Sequence, residues 1–235
     1  DLPARSGMGS SSVFVVGLMN LLNSFQNKKI KPRELAEKSI HFEQKILKEV
    51  VGSQDQVAAA YGGFNKIIFK TDGGFNVMPI SIGQNTVQKL NKNLLLVYTG
   101  LKRTAHHIAK SYVNKLQTSK KSHILEISNF VTEGEKIIQR GTIDDFGKLL
   151  HESWLEKKSL SSAITNSSID YIYNKALKKG ALGGKLLGAG GGGFLIFYVP
   201  HYKQKNFIKY FRNLITVPFK FTSEGSKIMF KKFNK

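Results

Sequence analysis

The 235-residue sequence contains no cysteine, which excludes disulfides, thiolate catalysis and cysteine-ligated zinc and fits a reducing compartment. It has no uninterrupted apolar stretch near the roughly 20 residues that cross a bilayer. Its first residues, Asp1-Leu2-Pro3-Ala4-Arg5, lack the basic segment followed by an apolar one that marks an export signal. A cytoplasmic location without a membrane partner is therefore expected. Acidic residues are scarce: 16 Asp and Glu stand against 36 Lys and Arg, for a formal net charge of +20. Such a balance suits nucleic acid, an anionic surface or small anionic substrates. The lysines, however, are spread through the whole chain, and pairs such as Lys28-Lys29, Lys120-Lys121 and Lys157-Lys158 fall at expected helix ends or exposed faces. They read as solvated surface. No K/R-G-F-x-F-like stacking motif accompanies them, so no specific nucleic-acid partner is expected.

What is present is a 41% hydrophobic chain, enough to bury a core in one large domain or two small ones. An apolar run at 13–25 predicts a mostly buried helix, and Pro32 starts a second one reaching about residue 48. Gly52-Ser53-Gln54-Asp55-Gln56 opens a short alanine-rich helix that stops at Gly62-Gly63. Strands are expected at 64–70 and 75–80 around the turn Thr71-Asp72-Gly73-Gly74, and again at 94–98. Residues 103–179 read as three or four amphipathic helices broken near 118–119, 141–142 and 165–168. A strand at 194–199, a helix at 202–212 and short strands at 217–222 and 227–230 complete the pattern. Trp154, the single tryptophan, is expected in the core.

Several constellations carry possible chemistry. In Gly7-Met8-Gly9-Ser10-Ser11-Ser12 two glycines allow close backbone approach, and three hydroxyls stand at the head of a helix whose free N–H groups suit an anion. A serine N-cap explains the same residues equally well. The loop is no Walker P-loop, because no lysine follows its second glycine. The run from Gly188 through Ala189, Gly190, Gly191 and Gly192 to Gly193 matches G-x-G-x-x-G, but a strand follows it where the dinucleotide fingerprint needs a helix. It is expected to present a backbone-only surface to a neighbouring loop or nucleotide.

On the second helix, Ala36, Ile40, Glu43 and Leu47 share one face at 4-3-4 spacing, so Glu43 interrupts an apolar stripe. A carboxylate there must be paired, hydrogen-bonded or bound to a metal, with an ion pair to a lysine as the structural reading and a magnesium ligand as the functional one. Ser53 and Gln56 form an S-x-x-Q capping box. Asp55, in that first turn, either complements the helix dipole or serves as a base facing a phosphate site. Arg103 and Thr104 follow a strand-to-helix transition where polar groups can reach a ligand. The histidines show no metal-site spacing.

The segment Pro3-Ala4-Arg5-Ser6-Gly7-Met8-Gly9-Ser10-Ser11-Ser12 resembles the second motif of the GHMP kinases (galactokinase, homoserine kinase, mevalonate kinase and phosphomevalonate kinase). The segment from Gly184-Lys185-Leu186-Leu187 through the glycine run to Phe194 is similar to their third motif. The resemblance implies an α+β fold of two domains, in the family a ribosomal-protein-like N-terminal one with a left-handed βαβ unit, of which 1–90 would be the remaining part, and a ferredoxin-like C-terminal one (91–235). It also implies ATP and Mg²⁺ as cofactors and a sugar phosphate as substrate, in the heptose 7-phosphate branch of surface-polysaccharide precursor synthesis. By position, Asp55 would be the general base and Glu43 with Ser10 or Ser11 the magnesium ligands. Gly7, Met8, Gly9, Ser10, Ser11 and Ser12 would wrap the ATP phosphates, Arg103 and Thr104 would lie near the transferred group, and Gly188, Gly190, Gly191 and Gly192 would support the phosphate loop. Met8 replaces the usual leucine, and Arg5 stands where many relatives have glycine. The family's first motif lies upstream of the second, so a chain starting partway into the fold, with an open sheet edge at 64–80 and incompetent alone, is expected. A noncatalytic nucleotide-binding or interaction protein is the alternative.

Overall fold

The computed structural model describes residues 6–102 and 105–230, which form two compact units. One comprises 9–79 and 221–230, the other 6–8 and 80–220. The expected division at residue 90 falls inside a helix whose Leu90 is buried.

The smaller unit holds α1 (Ser10–Phe25), α2 (Pro32–His41), a π-helical turn (Phe42–Ile46) and α3 (Gln54–Tyr61). A hairpin of β1 (Asn65–Phe69) and β2 (Phe75–Pro79) follows. Pro32 occupies the first turn of α2, where its missing N–H has no partner to lose. Val16, Leu35, Val57 and Phe75 form the core, and Ala36 and Ala60 keep the helix surfaces there small. Each fully buried aliphatic contributes about 1.5–3 kcal/mol. The hairpin turn is built as its residues predict: Gly73 has φ +85°, its N–H donates to Lys70 O, and Asp72 Oδ1 accepts from Gly74 N at 2.8 Å. Among the described residues, the sheet of this unit consists of β1 and β2.

Residues 227–230 are not a strand. The segment 221–230 instead runs past the end of α3, where Gly63 N donates to Thr222 O and Ser226 N to Ala59 O. A Cβ on Gly62 would stand 2.1 Å from the Glu224 backbone. Gly62 thus ends a helix, at φ +63°, and also admits a second chain segment against it.

The larger unit adds α4 (Gln84–Asn93), β3 (Leu94–Tyr98), α5 (Ala105–Val113), α6 (Lys121–Arg140), α7 (Ile143–Leu160), α8 (Ser167–Lys178), β4 (Gly183–Leu186), β5 (Phe194–Tyr198), α9 (His201–Tyr210) and β6 (Thr216–Pro218). The sheet order is β4-β5-β3-β6 and every pairing is antiparallel. Counted within the unit, that is strand order 2-3-1-4 with helices before the second and fourth strands, the ferredoxin-like arrangement. Its core gathers Trp154, Tyr173, Phe197, Phe207 and Ile164, so Trp154 is buried as expected. The helix breaks also fall as expected, with Gly141 at φ +78° after α6 and the Asn166 side chain capping α8 through Ile169 N.

Two elements escaped the sequence pattern. Helix α4 is mostly polar and buries little besides Leu90, so its apolar signal is weak. Strand β4 begins with two glycines, poor strand formers, because nothing larger fits. A Cβ on Gly183 would stand 2.0 Å from Gly147 O of α7, and one on Gly184 would stand 2.3 Å from Ile196 O of β5. The strand expected at 217–222 is shortened to β6, ending at Pro218, which has no N–H to continue the ladder.

Candidate functional site

In the smaller unit, Gly9 is the N-cap of α1 at φ +69°, and no side chain caps that end. The serine N-cap reading therefore does not hold. Ser10, Ser11 and Ser12 are the first three helical residues, whose N–H groups have no acceptor within the helix. Ser10 and Ser11 are exposed, whereas Ser12 is buried. The dipole and free N–H groups of this terminus favour an anion.

Ser12 points inward because it shares a helical face with Val15, Val16 and Met19, at i, i+3, i+4 and i+7. Its hydroxyl donates to Glu43 Oε1 at 3.1 Å. Glu43, 1% exposed, sits in the π-helical turn after α2, and its other oxygen accepts from Gln56 Nε2. The ion pair with a lysine is therefore not how this carboxylate is held: two neutral donors share it. Leu47, expected on the same face, is 51% exposed, because the π turn shifts the helical period beyond Glu43.

The capping box is also absent. Gln56 turns to Glu43, Ser53 makes no cap bond, and Ser53 Oγ accepts from Gln44 Nε2 at 3.2 Å. Asp55, one residue earlier on α3 and exposed, turns instead toward Gly9: a Cβ on Gly9 would stand 2.9 Å from Asp55 Oδ2. Consecutive residues on a helix lie about 100° apart, so one turn of α3 sends Gln56 into the interior and Asp55 to the end of α1.

Gln56 Oε1 is buried without a hydrogen-bond partner. With Glu43 and Ser12 it makes a set of hard oxygen donors that includes one carboxylate, which fits Mg²⁺, an ion commonly held by one or two carboxylates plus substrate phosphates. Among the described residues no cluster of three His, Cys, Asp or Glu side chains competes as a metal site. Ser12, rather than Ser10 or Ser11, meets Glu43. The helical spacing of Ser12 carries that signal, whereas Gln56 reads from the sequence as a capping residue.

In the larger unit, the glycine run links β4 to β5, with Leu187 N donating to Phe194 O. Gly188, Gly190, Gly191 and Gly193 all have positive φ. Gly191 N donates to Ile164 O, Gly193 N donates to Leu101 O, and the Thr99 N–H and hydroxyl both donate to Gly193 O. Side chains are excluded here: a Cβ on Gly190 would meet Ile164 Cα at 2.7 Å, and one on Gly192 would meet Leu101 O at 2.7 Å. Gly193 approaches the chain start, where a Cβ would stand 2.1 Å from Ser6 O, and Phe194 N donates to that oxygen. The run therefore packs on the Ser6-Gly7 backbone as a surface without side chains. Met8 packs with Tyr98 and Phe194. Arg103 and Thr104 lie outside the described residues.

Among the described residues no helix is long and apolar enough to cross a membrane. The family model for the GHMP kinases N terminal domain matches residues 1–63, and that for GHMP kinases C terminal matches residues 135–214. The chain is 32% identical over 230 residues to the D-glycero-alpha-D-manno-heptose 7-phosphate kinase of Campylobacter jejuni, covering 97% of this chain and 68% of that protein. It is 25% identical to the galactokinase of Pyrococcus furiosus, over 87% of this chain and 64% of that one. A crystal structure of a D-glycero-D-manno-heptose 1-phosphate kinase from Bacteroides thetaiotaomicron superposes with TM-score 0.76 at 25% identity, covering 96% of this chain and 64% of that one. The chain thus spans about two thirds of the length of these three proteins.

Proposed function

Since the chain belongs to the GHMP kinases, we propose that it serves ATP-dependent phosphorylation of a sugar or sugar-phosphate hydroxyl, with a heptose 7-phosphate as the acceptor. The observation that carries this reading is the convergence of Asp55 and Gly9. A carboxylate stands at a helix terminus whose free N–H groups suit phosphate, which is where phosphoryl transfer needs a proton acceptor. The acceptor sugar is taken from the Campylobacter relative.

In this reading Gly7, Met8, Gly9, Ser10, Ser11 and Ser12 hold the ATP phosphates through backbone N–H groups and exposed hydroxyls. Asp55 accepts the proton of the attacking hydroxyl as its oxygen bonds to the γ-phosphorus and the bond to the ADP oxygen breaks. Glu43, with Ser12 and Gln56 behind it, would hold Mg²⁺. Bound magnesium supplies charge neutralisation at the phosphate oxygens. The glycine run keeps the Ser6-Gly7 backbone in place, which is positioning rather than chemistry. Arg103 and Thr104 are proposed contacts to the acceptor.

The test is ADP release with ATP and Mg²⁺ in the presence of heptose 7-phosphate, galactose or mevalonate in turn. Release that depends on heptose 7-phosphate supports the reading. Tight ATP binding without acceptor-dependent release from any of them would make the chain a nucleotide-binding protein instead.

A further inference from the structure

The Lys157-Lys158 pair is not the solvated surface its sequence suggests. Lys158 pairs with Asp170 at 3.4 Å and lies over the Trp154 ring. The Lys157 Nζ reaches from α7 to the start of the glycine run, donating to Leu186 O at 2.8 Å and to Gly188 O at 2.6 Å. These two carbonyls bracket the point where β4 ends and the loop begins. Ile164 O, Leu101 O, Ser6 O and Thr99 also hold the run. Lys157 thus places a positive charge on the run and grips the end opposite Gly193.

We propose that Lys157 is a positioning residue for nucleotide binding, setting the course of the glycine run and, through Gly193, the Ser6-Gly7 backbone. The inference rests on the kinase reading for its functional half. Glycines at positive φ have wide conformational freedom, so a loop of them is ordered only by what it bonds to. A cation shared between two carbonyls makes charge-assisted bonds, stronger than neutral ones, and fixes the direction of both peptide planes. Pinning Gly188 O turns the Ala189 N–H of the same planar peptide the opposite way, away from Lys157. The run then offers the Ser6-Gly7 backbone one fixed surface before a phosphate arrives, which lowers the ordering cost of binding.

The experiment compares Lys157→Met and Lys157→Arg with the unaltered chain by hydrogen exchange, calorimetric titration with ATP–Mg²⁺, and steady-state kinetics. In Lys157→Met, amides 189–192 should exchange about tenfold faster while those of β3 and β5 are unchanged. ATP affinity should weaken by about tenfold, and KM for ATP should rise more than kcat falls. Lys157→Arg should restore the protection and much of the affinity, because guanidinium can also span two carbonyls. Unchanged loop exchange overturns the clamp. Faster exchange throughout the sheet shows a purely structural role and also overturns the proposal, as does loosened loop exchange with unaltered ATP affinity. If the unaltered chain binds ATP but transfers no phosphate, the kinase reading fails while exchange and titration still decide the role of Lys157.

Discussion

The Asp55 carboxylate lies against the Gly9 backbone so closely that a methyl group on Gly9 would stand 2.9 Å from Oδ2. A charge-bearing side chain on α3 is thereby fixed at the N-terminus of α1. If that carboxylate removes the substrate proton, Asp55→Asn should lower turnover by about 10²-fold or more while ATP affinity stays nearly the same. Turnover that survives the substitution would mean that positioning alone carries the reaction.

Gly9→Ala tests the same contact from the other side. At φ +69° an alanine is strained by about 1–2 kcal/mol, and its methyl must displace Asp55. The urea midpoint should fall accordingly, and turnover should fall further than the stability loss explains. A variant that loses only stability would separate Asp55 from the reaction.

Glu43→Gln and Glu43→Ala should differ in kind. The orphaned Oε1 of Gln56 can accept from a new amide at position 43 if the Gln56 amide turns over, so Glu43→Gln should fold with little loss. Its response to Mg²⁺ should nevertheless weaken, because the carboxylate charge is gone. Glu43→Ala leaves Ser12 and Gln56 without their acceptor and should cost about 1–3 kcal/mol for each group left unsatisfied. An Mg²⁺ titration of ATP binding that is identical in Glu43→Gln and the unaltered chain would limit Glu43 to a structural role.

Two glycines should respond in opposite directions. A Cβ on Gly193 would stand 2.1 Å from the Ser6 carbonyl oxygen at φ +97°, and backbone cannot swing aside, so Gly193→Ala should destabilise strongly or fail to fold. Gly17, inside α1, has nothing within 4 Å of an added methyl, and Gly17→Ala should stabilise by about 1 kcal/mol through helix propensity. Denaturant melts of both variants check the sign.

Lys185 supplies a pH prediction. Burial holds its ammonium below the ordinary lysine range, with Ser153 Oγ accepting at 3.0 Å. At neutral pH the folded chain carries this poorly solvated charge at a cost. As pH rises from the lowered folded value toward the ordinary lysine value of 10.5, the unfolded chain holds the proton more than the folded chain does, so stability rises across that window. Lys185→Met should therefore be more stable than the unaltered chain at pH 7, with the gap closing toward high pH. A gap independent of pH in paired urea titrations would contradict this.

By itself the sequence determined the elements whose signals are local. The turn at Gly73, the capped start of α8 at Asn166 and the end of α6 at Gly141 all depend on a few neighbouring residues, and each formed as expected. The strand after the glycine run also excludes a dinucleotide fingerprint by local pattern alone. Partners distant along the chain were decided only by tertiary packing. With 36 Lys and Arg in the sequence, a cation was the natural expectation for the buried Glu43, yet Ser12 and Gln56, respectively 31 and 13 residues away, satisfy it. Lys157 looked like solvated surface until β4, 29 residues on, supplied a carbonyl, and β4 itself was hidden because glycines chosen for close packing weaken the strand pattern. Backbone preferences act over one helical turn or one hairpin. A buried polar group takes whichever donor the packing of separate elements brings to it, and no local pattern encodes that choice.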